Sequence, residues 1–126
     1  MKALELCTIT DKMYDIIVRH TGCGPFDGGC LLYATAAYEH FGGQLMVVSY
    51  KDIAQHACVQ FGSKYFDANG LTSKSKIIES MAYEIHSQDY ANFDIRPYKK
   101  GDLADCESPS VGVNELIKEF IHAGWV

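Results

Sequence analysis

The sequence predicts an α+β domain in which helices pack against a small antiparallel sheet. Three observations carry this. Apolar residues recur at three- and four-residue intervals towards both ends of the chain, short extended runs fill the middle, and a Gly62-Ser63 pair joins two of those runs. The order reads α-α-β-β-β-α-(β)-α, which places helices beside an antiparallel sheet. At 126 residues the chain forms one domain, residues 1–126, because domains most often hold about 100–150 residues.

The first helix is expected over about Asp11 to His20, with Thr10 as its N-cap. Ile9, Met13, Ile16, Ile17 and His20 make one apolar face, and Gly22 ends it. The segment Cys23-Gly24-Pro25-Phe26-Asp27-Gly28-Gly29 holds three glycines and a proline, which marks a shaped loop. Cys30 to Phe41 follows as a second helix, with Gly42-Gly43 expected to supply a left-handed cap. Leu31, Ala34, Tyr38 and Phe41 form its stripe, and Ala34, Ala36 and Ala37 allow close approach to a sheet or helix.

Gln44 to Tyr50 reads as a buried strand around Leu45-Met46-Val47-Val48. His56 to Phe61 and Lys64 to Asp67 flank the Gly62-Ser63 turn. Their alternation sets Ala57, Val59 and Phe61 on one face and His56, Cys58 and Gln60 on the other. Ser73 or Ser75 starts a third helix carrying Ile77, Ile78, Met81, Ala82 and Ile85. Ile95 to Tyr98 fits a short edge strand, since Pro97 cannot donate to a ladder. Gly101 to Ser110 reads as loop. A final amphipathic helix then carries Val113, Leu116, Ile117, Phe120 and Ile121, and Gly124 closes it.

The net charge of -5 argues against a nucleic-acid partner, because such proteins present a basic surface. Lys99-Lys100 is the one basic pair and fits a solvated turn. The first 20 residues are broken by Lys2, Glu5, Asp11, Lys12, Asp15 and Arg19, so no signal peptide is expected, and no run approaches a membrane span. Five unevenly spaced cysteines do not read as a disulfide framework, which makes a reducing cytoplasm the expectation. His20, Cys23 and Cys30 lack the paired spacing of a zinc site, so no metal or other cofactor is expected. His40, His86 and His122 fall near helix ends, where an imidazole meets the last carbonyls. Cys7 and Cys106 read as structural or incidental.

Cys30, His56 and Asp67 are the candidate catalytic residues. The thiolate is the nucleophilic form of cysteine, and a helix N-terminus or imidazolium lowers its pKa from about 8.5. Cys30 opens a helix, so first-turn N–H groups and partial positive charge would favour its thiolate. The same N–H groups, with the Gly28-Gly29 backbone, could hold an oxyanion, and residues without a Cβ would let a substrate reach them. His56 would act as general base and acid. Asp67, eleven residues on and across a hairpin, would fix its ring and tautomer. Phe26, in the glycine-rich loop, is a candidate substrate-facing wall or an anchor tucked into the core. Cys58, on the side of the strand that carries His56, is a second candidate wall residue. Each of these has a plain structural reading as well, since cysteine is often buried and His and Asp often end strands.

The pattern Phe26-Asp27-Gly28-Gly29-Cys30, then His56-Ala57-Cys58-Val59, then Lys64-Tyr65-Phe66-Asp67-Ala68-Asn69-Gly70, resembles the papain-like cysteine-enzyme superfamily, most closely its transglutaminase-like branch. It covers residues 23–70. The resemblance implies a minimal papain-like domain with a nucleophile helix on a small antiparallel sheet, of a size seen in small bacterial or phage-encoded proteins. It implies Cys30 as nucleophile, His56 as base and Asp67 as orienting acid. Leu31 stands where these families commonly carry an aromatic residue, Cys58 where the branch often has tryptophan, and Gly24 where proteases place an oxyanion glutamine.

Two functions follow as expectations. The first is a cysteine-dependent hydrolase or acyltransferase acting on an amide, thioester or ester of a peptide, protein or small molecule. The second is a non-catalytic binding or regulatory module on the same fold.

Overall fold

The computed structural model describes residues 7–26, 28–104 and 106–125. The elements are α1 (Asp11–Thr21), α2 (Cys30–Phe41), β1 (Gln44–Tyr50), β2 (Ile53–Phe61), β3 (Lys64–Asp67), β4 (Gly70–Thr72), α3 (Lys74–Glu84), β5 (Phe93–Pro97) and α4 (Ser110–His122). A 3-10 turn, Tyr90–Asn92, leads into β5. The strands form one antiparallel sheet in the order β4-β3-β2-β1-β5, so the α+β expectation holds.

Local chemistry explains the helix starts. Thr10 caps α1 by accepting from the Met13 N–H, and Ser73 caps α3 by accepting from the Lys76 N–H. Gly42 closes α2 at φ 87° and ψ -142°, a glycine conformation but not the left-handed helical one expected. Ile121 departs from the expected apolar stripe of α4: it is 60% exposed, while Val113, Leu116 and Phe120 are buried.

Two stretches of strand lacked a sequence signal. β2 begins at Ile53, three residues before His56, because Lys51 and Asp52 make a two-residue hairpin with φ of 51° and 64°. That geometry usually announces itself with Asn-Gly, which is absent here. β4 has only three residues, paired to β3 from Asp67↔Gly70 to Tyr65↔Thr72. The β5 strand is at the sheet edge as Pro97 requires, but runs Phe93–Pro97.

The sheet is covered on both faces. Leu32, Tyr33, Ala36 and Ala37 of α2 pack with Ile17 of α1, Leu116 and Phe120 of α4, and Ala57, Val59 and Phe66 of the sheet. Across the sheet, Ile77, Met81 and Ala82 of α3 pack on Met46, Val48, Cys58, Tyr65 and Ile95. The strand alternation therefore sorts Ala57 and Val59 to the α2 face and Cys58 to the α3 face, as the period of two predicts. Tyr33, Phe66, Phe120 and Trp125 interlock by ring contacts, with Phe120 stacked on Trp125 at 5.3 Å.

Candidate active site

The loop before α2 is folded by packing. The Gly29 N–H donates to Gly24 O at 2.9 Å, and a Cβ on Gly29 would stand 2.2 Å from Ile17 Cγ2 and 2.8 Å from Gly24 O. Its lack of a side chain thus answers to close packing on α1, a correction to the substrate-access reason expected from the sequence. Gly28, at φ 131°, sits against Cys23, where a Cβ would lie 3.2 Å from its sulfur. Asp27 lies outside the described residues.

His56 lies in mid-strand, just past an irregularity. Val48 pairs with His56 but Ser49 pairs with Ala54, so Gln55 is the extra residue of a bulge. Bulges re-aim the side chains beside them. Beyond it, β2 meets β3 at Val59↔Phe66, and the alternation puts His56 and Asp67 on the same face as diagonal neighbours. His56 Nε2 and Asp67 Oδ2 are 2.9 Å apart, with side chains only 4% and 5% exposed. The second carboxylate oxygen accepts the Asn69 N–H at 2.9 Å, closing the turn that follows β3.

A carboxylate can only accept, so Nε2 carries the proton of this contact. His56 Nδ1 is buried and has no hydrogen-bond partner among the described residues. It is therefore the ring nitrogen that the Asp67 contact leaves unengaged. Phe26 stacks on the imidazole with centroids 5.5 Å apart and planes 22° apart.

Cys30 opens α2 and is 4% exposed. Its thiol meets the backbone N–H of Ala57, the residue after His56, and that of Leu31 in its own helix; both contacts favour the thiolate. They are outweighed. A hydrogen bond with the Cys106 side chain, followed by burial, pushes the Cys30 thiol far above the ordinary cysteine range. The first-turn N–H of Leu31 thus favours the thiolate, as the helix-start position predicts, but the Cys106 contact and burial oppose it more strongly.

Cys106 corrects the sequence reading most sharply. It is not incidental: it lines a cleft of about 700 Å³ together with Cys23, Phe26, Gly28 and Cys30. No sequence signal pointed to it, because it comes 76 positions after Cys30 in a loop without a motif. The loop is anchored by Arg96, which forks onto Asp102 through contacts of 2.8 and 2.9 Å. A turn then brings the Cys106 N–H to Leu103 O at 2.9 Å.

Phe26 is half-buried and borders both this cleft and the tight space around His56, Asp67 and Met81. It is thus cleft wall and imidazole cover together. Cys58 is fully buried on the α3 face, where burial and then the Asp67 charge push its thiol up, so it is core and not the expected cleft wall.

Of the remaining histidines, His20 Nε2 meets Glu115 at 2.9 Å beside the Arg19–Glu115 pair, tying α1 to α4. Among the described residues no cluster of His, Cys, Asp or Glu is arranged to hold a metal ion, and no helix is long and apolar enough to cross a membrane. No protein-family model, curated protein or solved structure matches this chain.

Proposed function

We propose that the chain is a cysteine-dependent hydrolase or acyltransferase of papain-like, transglutaminase-like type, working through an acyl-enzyme on Cys30. The observation that carries the reading is the buried His56–Asp67 pair with the other imidazole nitrogen unpartnered. A buried imidazole oriented by a carboxylate, with one nitrogen open, is the arrangement a proton-transfer group requires.

In this mechanism His56 Nδ1 takes the Cys30 proton as the sulfur attacks a carbonyl carbon. The same nitrogen then protonates the leaving amine, alcohol or thiol. Asp67 holds the ring and offsets its charge. Backbone N–H groups at the start of α2 face the developing oxyanion. Water or an amine resolves the acyl-enzyme. Peptides, proteins and small acyl compounds all carry the bond this chemistry needs.

A binding or regulatory module is the second reading. The near-complete burial of Cys30 and its raised thiol pKa favour it. One experiment separates the two. The reduced chain is offered activated esters and thioesters and its intact mass is followed. The enzyme reading expects an acyl adduct on Cys30 that Cys30→Ser abolishes. No adduct on wild type, with a binding partner retained by Cys30→Ser, decides for the module.

A further inference from the structure

We propose that Cys30 and Cys106 form a dithiol–disulfide pair that is oxidised by a low-molecular-weight disulfide. The two side chains are hydrogen-bonded to one another and line the same cleft. They differ in the way an entry thiol and a resolving thiol should. Cys106 is partly exposed and lies outside regular structure, whereas Cys30 is 4% exposed and fixed at the first residue of α2. Disulfides need a Cα separation near 5.5–6 Å and a set torsion, roughly, and a loop cysteine can adjust its backbone to reach them.

The exchange balances without any other reactant. The Cys106 thiol loses its proton to solvent, and its sulfur attacks one sulfur of the external disulfide. The S–S bond breaks and one small thiol leaves. The Cys30 thiol then loses its proton and attacks the Cys106 sulfur of the mixed disulfide, releasing the second small thiol. Two protein thiols are oxidised to one disulfide, and one external disulfide is reduced to two thiols. Entry through Cys106 follows from access: the neighbouring thiol and burial hold Cys30 protonated until Cys106 is modified. Cys23 lines the same cleft and is the internal competitor. That the disulfide also silences catalysis rests on the reading of Cys30 as nucleophile.

The test uses the full chain, excess oxidised glutathione and mass spectrometry, with no substrate. Wild type should lose two hydrogens, yield one non-reduced peptide linking Cys30 to Cys106, and revert with dithiothreitol. Cys30→Ser should stop with one glutathione on Cys106. Cys106→Ser should form no disulfide through Cys30 within the chain, and any glutathione that Cys30 takes should stay on it as an unresolved mixed disulfide. Linkage through Cys23, or a Cys106 adduct that wild-type Cys30 never resolves, would each overturn the proposal. A chain that forms the disulfide but no acyl adduct when reduced keeps the pair and refutes the hydrolase. The reverse result refutes the pair alone.

Discussion

His56 Nε2 stands 2.9 Å from Asp67 Oδ2 where both side chains are almost wholly removed from solvent. The contact spans a diagonal of the β2–β3 hairpin, and the second Asp67 oxygen is held by the Asn69 N–H. Asp67 therefore has a structural duty as well as the proposed orienting one. Asp67→Ala should lower stability by about 1–3 kcal/mol, because it leaves a buried imidazole N–H without an acceptor. Asp67→Asn should cost less, since it keeps the side-chain volume and one acceptor oxygen. Urea unfolding of the two variants measures both, and equal stability of Asp67→Ala and wild type would show that the pair is not buried as described.

The start of α2 depends on a glycine that cannot be enlarged. Gly29→Ala would drive its Cβ into Ile17 Cγ2 and Gly24 O. The expected loss is about 1–3 kcal/mol, the usual range for overpacking a core. Because the clash is shared, Gly29→Ala with Ile17→Ala should be less destabilised than the sum of the single changes. A double-mutant cycle by chemical denaturation reads this directly, and strict additivity would contradict the contact.

Much of this arrangement was legible because it is local. The caps at Thr10 and Ser73, the Gly62-Ser63 hairpin and the alternation along β2 each follow from residues within a few positions of one another. The sequence spacing also anticipated that His56 and Asp67 would meet. What it missed depends on departures from usual turn chemistry or on distance along the chain. Lys51-Asp52 turns without glycine or asparagine, so the first residues of β2 and the Gln55 bulge were hidden. Cys106 reaches Cys30 only through tertiary folding, and that contact together with burial reverses the expected state of the thiol. Cys58 looked like a pocket residue because its strand face was known but not what covered that face, which is α3.

Phe26 offers a prediction that separates wall from anchor. Its ring lies 5.5 Å from that of His56 and borders the cleft. Phe26→Ala should shift the His56 ring proton resonances, by removing the ring current and admitting water to the imidazole. Its cost to folding should fall below that of Phe66→Ala, which empties a wholly buried site and should cost about 3–5 kcal/mol. Unmoved His56 resonances in Phe26→Ala would contradict the stacking.

The clamp that anchors the Cys106 loop should make stability depend on acid. The hydrogen bonds from Arg96 hold the Asp102 carboxyl below the ordinary carboxylate range, and the Lys99 N–H adds to this. A carboxylate depressed in the folded state contributes stability above its unfolded pKa and loses it as pH falls through the folded value. Asp102→Asn should therefore be less stable than wild type at neutral pH, and the difference should shrink below about pH 4. Urea midpoints across that range test the sign. A gap that widens on acidification would rule out the clamp.

The decisive measurement on the proposed nucleophile is the alkylation rate of Cys30 in three proteins. Iodoacetamide reacts with the thiolate, so the rate at fixed pH follows how much of the thiol is ionised. The Cys106 hydrogen bond is the largest influence raising the Cys30 pKa, ahead of burial. Cys106→Ala removes it and opens the cleft, and both changes act in one direction. Wild-type Cys30 should react slowly near neutral pH and accelerate as pH rises. Cys106→Ala should react at least several-fold faster, with its pH profile moved towards neutrality. His56→Ala in the Cys106→Ala background should reverse part of that gain, because an imidazole able to accept the thiol proton would be gone. Peptide mapping against Cys23 as the internal reference assigns each rate to its residue. If Cys106→Ala leaves Cys30 as slow as wild type, Cys106 does not restrain the thiol. If His56→Ala then has no effect on Cys30 reactivity, the proposed coupling of imidazole to thiol is refuted.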